Sequence, residues 1–287
     1  MSTCLFAADL HGRLSRYESL FSAVARDRPT GLFLGGDLLP PAALGSLAGP
    51  DAPDDFLRDY LGPRLHRLRT ELGDAYPRVF AILGNDDPAA ELPAVHEIEA
   101  ESLWTYAHDR TTAFGPYTVT GYSFVPPTPF ALKDWERYDT SRYVDPGCVS
   151  PEEGVRSVDR PEAEARWTTI AGDLERLRAG LHPSKAIFLF HSPPYRTRLD
   201  RADLDGRVVD HVPLDVHVGS IAIRRFVETW QPRLTLHGHI HESARLTGSW
   251  QDRIGDTILL SGAHDGAELA LVRFDPDHPE RAARELI

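Results

Sequence analysis

An α/β fold with a largely parallel sheet covered on both faces is predicted by three observations. Apolar runs of strand length alternate with stretches whose apolar residues recur at helical spacing. That strand–loop–helix unit recurs along the first third of the chain, each time with a polar tip after the strand. Composition agrees: 41% of the 287 residues are hydrophobic and 26% charged, a globular mix that excludes disordered, collagen-like and coiled-coil classes.

Taken in order, a strand over 3–8 precedes the tip 9–13 and a helix carrying Leu14, Tyr17, Leu20, Phe21 and Val24 on one face. A second strand, 31–34, ends at Gly35-Gly36-Asp37; a third, 78–83, ends at Gly84-Asn85-Asp86-Asp87; a helix over about 54–72 lies between them. The stretch 123–160 changes texture, with three prolines between Phe124 and Phe130 followed by Trp135, Tyr138 and Tyr143, and is read as an ordered excursion within a single domain. A helical pattern resumes over 161–181, then a strand over 185–190 ends at His191-Ser192-Pro193-Pro194, and a loop-rich stretch, 195–218, follows. Ser220 is placed to cap a helix over 221–230 that Pro232 terminates. Strands follow at 233–236, 257–260 and 268–274, the last two expected to pair antiparallel.

Charge narrows the partners. With 31 Lys plus Arg against 43 Asp plus Glu the net charge is -12, the wrong sign for wholesale neutralisation of nucleic-acid phosphates, although RNA ends stay open. Cys4 and Cys148 form no CxxC pair, no apolar run reaches the roughly 18 to 20 residues of a membrane span, and no export signal is read at the start. A cytoplasmic protein without a membrane partner is therefore expected.

Each predicted strand end carries an oxygen or nitrogen donor: Asp9 and His11, Asp37, Asn85, His191, then His239 and His241. Ligands gather at the carboxyl ends of strands in open α/β sheets, and carboxylates mixed with imidazoles suit Mn, Fe, Co or Zn. Taken singly, Asp9, Asp37 and Asn85 read as helix caps or turn residues after strands, the commoner role of such residues, and His191 as a packed histidine. His237 has no slot in the pattern and is expected to pack or to support the site; His217 precedes the cap and could reach the site from its loop.

In order, Asp9-Leu10-His11, Gly36-Asp37, Gly84-Asn85-Asp86-Asp87, His191 and Gly238-His239-Ile240-His241 resemble the signature of calcineurin-like metallophosphoesterases. The resemblance implies a four-layer αββα sandwich of two mixed sheets flanked by helices. It also implies two divalent ions, one on Asp9, His11 and His241, the other on Asn85, His191 and His239, with Asp37 bridging. Two metals about 3.5 to 4 Å apart can share a hydroxide nucleophile and clamp phosphoryl oxygens. The implied substrates are phosphate esters: diesters, cyclic nucleotides or nucleotide anhydrides.

Many relatives carry His after the Gly-Asn pair, where it can protonate the leaving oxygen; here that residue is Asp86. A carboxyl beside two dications is driven to ionise, so Asp86 is expected to orient substrate or water, and good leaving groups to be favoured. Within the excursion, Lys133, Trp135 and Arg137 have the chemistry to grip a phosphate and stack on a ring, while a packed loop or an oligomer contact fits the same residues. The rival to an enzyme is a non-catalytic scaffold of the same fold that binds a protein partner.

Overall fold

The computed structural model describes residues 3–40 and 55–287. In chain order it contains β1 (Cys4–Ala7), α1 (Leu14–Asp27), β2 (Gly31–Gly35), α2 (Gly62–Leu72), β3 (Arg78–Ile82), α3 (Leu92–Ala100), β4 (Thr105–Tyr106), β5 (Thr111–Phe114) and β6 (Tyr117–Tyr122). The second half adds α4 (Glu162–Trp167), α5 (Ile170–Leu177), β7 (Ala186–Phe190), β8 (Val208–Val209), β9 (Val212–Pro213), α6 (Ile221–Trp230), β10 (Leu234–His237) and α7 (Ser243–Thr247). It closes with β11 (Gln251–Ile254), β12 (Thr257–Ser261), β13 (Ala270–Phe274) and β14 (Ala283–Leu286).

The single sheet expected from the strand–helix alternation is two. One has the order β14-β13-β1-β2-β3-β4 and the other β11-β12-β10-β7-β6-β5. Each is parallel at its centre, with antiparallel pairs at β1–β13–β14 in the first and at β11–β12 and β5–β6 in the second. Two mixed sheets flanked by helices are the architecture the resemblance implied.

Strand register explains the layers. Phe6, Phe33 and Phe80 are in register across β1, β2 and β3 and pack with Val119, Ile187, Leu189, Leu234, Leu236 and Leu260 of the other sheet. Their neighbours Leu5, Leu32 and Val79 point the opposite way, as the two-residue pleat requires, into a cluster with Tyr17, Leu20 and Val24 of α1 and Leu65 and Leu68 of α2. Phe188 and Phe190 of β7 do the same against Ile223, Phe226 and Val227 of α6. Every strand of the parallel centre is thus buried on both faces, which is why these runs are continuously apolar.

Three expectations are corrected. Strands β12 and β13 do not pair: β12 lies beside β10 and β11, while β13 crosses to the other sheet and pairs with β1 and β14. The helical pattern over 161–181 breaks at Thr168 and Thr169, both extended, and Thr169 starts α5 afresh by accepting from Gly172 N at 3.1 Å. The helix expected over 54–72 opens with a π-helical turn, Phe56–Leu61, before α2; position 54 lies outside the described residues. The cap on α6 is as expected, with Ser220 Oγ accepting from Ile223 N at 3.0 Å. No helix among the described residues is long and apolar enough to cross a membrane.

Candidate metal centre

The loops that leave β1, β2 and β3 in one sheet, and β7 and β10 in the other, converge on one place. Asp9, His11, Asp37 and His241 offer donor atoms that lie within 4.8 Å of one another, and so do Asp37, His191 and His239. Asp37 belongs to both groups. Asn85 joins the second, with Oδ1 3.0 Å from His191 Nε2. All seven residues singled out in the sequence are therefore brought together.

Backbone geometry at these residues is costly. Asp9, His11, Asp37 and His239 have φ of 57°, 48°, 50° and 74°, a left-handed region that costs non-glycine residues about 1 to 3 kcal/mol each. The turns are fixed by main-chain bonds such as Asp9 N to Gly36 O at 3.0 Å and His11 N to Asp37 O at 2.8 Å. Gly84 leaves the space that two donors fill, because a Cβ there would collide with Asp37 Oδ1 and sit 2.6 Å from His191 Nε2. Gly238 does likewise beside Asp9, 2.9 Å from its Oδ2.

Polar atoms here lack the partners that buried groups normally have. Asp9 Oδ2 and His11 Nδ1 are buried without a hydrogen bond from any of the described residues. His11 Nε2 and His241 Nε2 stand 3.1 Å apart, a separation that two imidazole nitrogens tolerate only with a proton or a cation between them. Two nearly inaccessible carboxylates, Asp9 and Asp37, add formal charge that the histidines balance only when protonated. Divalent ions fit this donor set, with hard oxygens and borderline imidazoles directed to shared points.

Electrostatics divide the histidines. Burial pulls the His239 imidazole down to about 3 and lowers His11 as well, leaving both neutral and ready to donate a lone pair. Burial also opposes charge on His191, but Asp37 Oδ2 at 3.2 Å overrides it and pushes the imidazole up to about 10. His241 is raised, against burial, by the Asp9 carboxylate, whose Oδ1 lies 3.6 Å from its Nε2. The same pairings hold the Asp9 and Asp37 carboxyls below the usual carboxylate range despite their burial.

Asp86 stands at the mouth, its side chain 35% exposed; its backbone N donates to Asp37 Oδ1 at 2.8 Å and its Oδ1 accepts from Asn85 Nδ2 at 3.0 Å. Burial, then the charge of Asp37, pushes its carboxyl up to about 6. Asp87 has a role that sequence reasoning left unassigned. Its buried carboxylate accepts from Leu38 N, Leu39 N and Gly84 N at 2.8 to 3.1 Å, tying the loop of Asp37 to the loop of Asn85. The signal was the unbroken polar run after Gly84, Asn85-Asp86-Asp87, which only a fold could turn into a brace.

His237 packs inside, bonded to Ser192 O at 2.9 Å and Thr235 Oγ1 at 2.7 Å. His217 is held by Asp200 Oδ1 at 2.9 Å and lies outside both donor groups. The expected substrate-gripping role of Lys133, Trp135 and Arg137 meets a different arrangement. Lys133 is fully buried against Glu136 and Thr128 O, Trp135 Nε1 donates to Asp87 O at 2.8 Å, and Arg137 is bound by Asp173 and Glu164. Lys133 and Arg137 line a cavity of only about 10 Å³, and the polar groups of all three side chains are engaged by protein partners, those of Lys133 within the segment and those of Trp135 and Arg137 on Asp87, Glu164 and Asp173 outside it.

The family described as calcineurin-like phosphoesterase matches residues 2–243. An uncharacterized protein of Methanocaldococcus jannaschii is 41% identical over 80 residues, a match spanning 27% of this chain and 31% of that protein. A solved structure from Thermus thermophilus superposes with a TM-score of 0.57 at 16% identity, covering 99% of this chain and 98% of its own. A dimetal phosphatase from Danio rerio superposes with a TM-score of 0.50 at 13% identity, covering 94% and 91%. At such identities these two structures share the fold with this chain.

Proposed function

Because the chain belongs to the calcineurin-like phosphoesterase family, we propose that it is a dinuclear metal-dependent hydrolase of small phosphate esters, with diesters, cyclic nucleotides or nucleotide anhydrides as its substrate class. The observation that carries this reading is the membership of Asp37 in both donor groups. Asp9, His11 and His241 would hold one ion, Asn85, His191 and His239 the other, and Asp37 both. Divalent ions there would supply a water-derived nucleophile at neutral pH and neutralise charge on the phosphoryl oxygens. Mn, Fe, Zn and Co all suit the donors.

The chain's own residues set the direction of approach. Asp9 and His191 are fully buried, whereas the His241 and Asp86 side chains are 34% and 35% exposed, so substrate enters on the side of His11, Asp86 and His241. Asp86 orients substrate or water there. Without an imidazole at that position to protonate the leaving oxygen, esters of acidic alcohols or anhydrides are hydrolysed in preference to alkyl monoesters.

The test is reconstitution with Mn followed by assay on bis-p-nitrophenyl phosphate and p-nitrophenyl phosphate. Turnover that needs metal, with the diester favoured, supports the reading. Two bound metals with no turnover on either ester would favour the non-catalytic scaffold.

A further inference from the structure

Arg16 lies in the first turn of α1, seven residues after Asp9, and is 3% exposed. An arginine so placed ordinarily pairs with a carboxylate. Here, among the described residues, all the hydrogen-bond acceptors are main-chain oxygens. Nη1 donates to Asp9 O, Nη2 to Gly266 O at 2.6 Å and to His264 O at 3.3 Å, and Nε to Ala267 O at 3.4 Å. Burial lowers its pKa, so the cationic form is kept at a cost that these bonds offset.

The carbonyls it gathers belong to two different parts of the fold. Asp9 follows β1 in one sheet, whereas 264–267 is the connection that carries the chain from β12 in the other sheet to β13. The same joint is crossed on the side-chain side of Asp9, where Oδ1 accepts from His239 N at 2.9 Å. Asp9 therefore has its carboxylate fixed by one sheet's loop and its carbonyl fixed, through Arg16, by the connection between sheets. Its left-handed φ of 57° is a conformation that persists only where surroundings over-determine it.

We propose that Arg16 is a positioning residue for the metal site that contains Asp9: its planar fork clamps the strained Asp9 peptide to 264–267 and so aims the Asp9 carboxylate at His11 and His241. The inference rests on the metal-centre reading above. It is confined to one of the two donor groups, because Asp9 belongs to the group with His11, Asp37 and His241 and not to the group with His191 and His239. A lysine cannot replace the guanidinium, since a point donor does not span acceptors on two chain segments.

The experiment is calorimetric titration of chelator-stripped full-length protein with Mn²⁺ alone, with the thermal midpoint of the metal-free protein measured in parallel. Asp9→Asn and His191→Gln assign the two binding steps. Arg16→Met is expected to weaken the Asp9 step by about 10- to 100-fold and leave the His191 step within about threefold, with Arg16→Lys recovering only part. Should Arg16→Met fail to fold, Arg16→Gln, whose amide keeps a donor for the carbonyls, carries the same comparison. Unchanged affinities, or equal weakening of both steps alongside a lower midpoint, would overturn the proposal, the latter by reducing Arg16 to general support. A wild-type protein that takes up no Mn²⁺ overturns both the inference and the metal centre, whereas normal uptake with an indifferent Arg16 variant overturns the inference alone.

Discussion

The strand ends and the 123–160 segment are built from the same kinds of residue and use them in opposite ways. At the strand ends, carboxylates and imidazoles converge with buried atoms left unpaired, on backbone that is strained at four of the seven donors. In the 123–160 segment every charge of interest is matched: Lys133 to Glu136, Arg137 to Asp173 and Glu164, Asp134 to Ala89 N and Ser157. Unpaired donors around a shared point mark a place for an ion, and paired ones mark a strut. The strut matters to the site all the same, because Trp135 and Asp134 grip Asp87 and Ala89, beside the loop that carries Asn85.

The comparison is broken most directly by substitution in each region. Asp37→Asn is expected to remove more than about 100-fold of ester hydrolysis and to lower bound metal, because it strips both donor groups at once; elemental analysis and kcat/KM check it. Lys133→Met is expected to cost about 3 to 5 kcal/mol of stability in denaturant unfolding by removing the cation that offsets the burial of Glu136, whose carboxyl burial already pushes up to about 7 and which then keeps only its bonds from Thr128, with metal stoichiometry retained in the folded fraction. Replacing Glu136 with Gln in the same chain recovers most of that loss. If instead Lys133→Met abolished metal binding without destabilising the fold, the segment would belong to the site.

Acidity sharpens the contrast further. In metal-free protein, Asp37 raises His191 from its ordinary 6.5 to about 10, so their pairing contributes stability that is fully present below pH 6.5 and lost as pH rises through 10. Metal must displace that proton. Affinity is therefore expected to rise by up to about tenfold per pH unit above 6.5, with proton release visible as a buffer-dependent binding enthalpy. A pH-independent affinity would mean that His191 is not a ligand. The smallest effect is expected at the mouth, where Asp86→Asn changes aryl-ester turnover by less than about tenfold; a total loss would make Asp86 the proton donor.

Much of the site was legible because its chemistry is local to strand ends. Asp9, His11, Asp37, Asn85, His191, His239 and His241 each follow an apolar run with a polar tip, a pattern visible in one dimension. The partition into two sheets was legible only through the family resemblance and not from the runs themselves, since nothing in the run Thr257–Ser261 says that its neighbour is β10 rather than β13. The short strand β4 and the pair β5–β6 escaped notice too, although Gly115-Pro116 between Phe114 and Tyr117 was a turn signal. Lys133 and Arg137 misled because a cation's partner, Glu136 or Asp173, is assigned by folding and not by sequence distance. Arg16 gave no sign at all, for most of its acceptors are carbonyls about 250 residues away.

The most direct test of the account is the metal content of Mn-reconstituted protein, wild type beside Asp37→Asn, measured together with hydrolysis of bis-p-nitrophenyl phosphate. Two equivalents per chain in the wild type, with both metal and turnover lost in Asp37→Asn, is the predicted result. One equivalent or none at saturating Mn, or turnover that survives chelation, would contradict it.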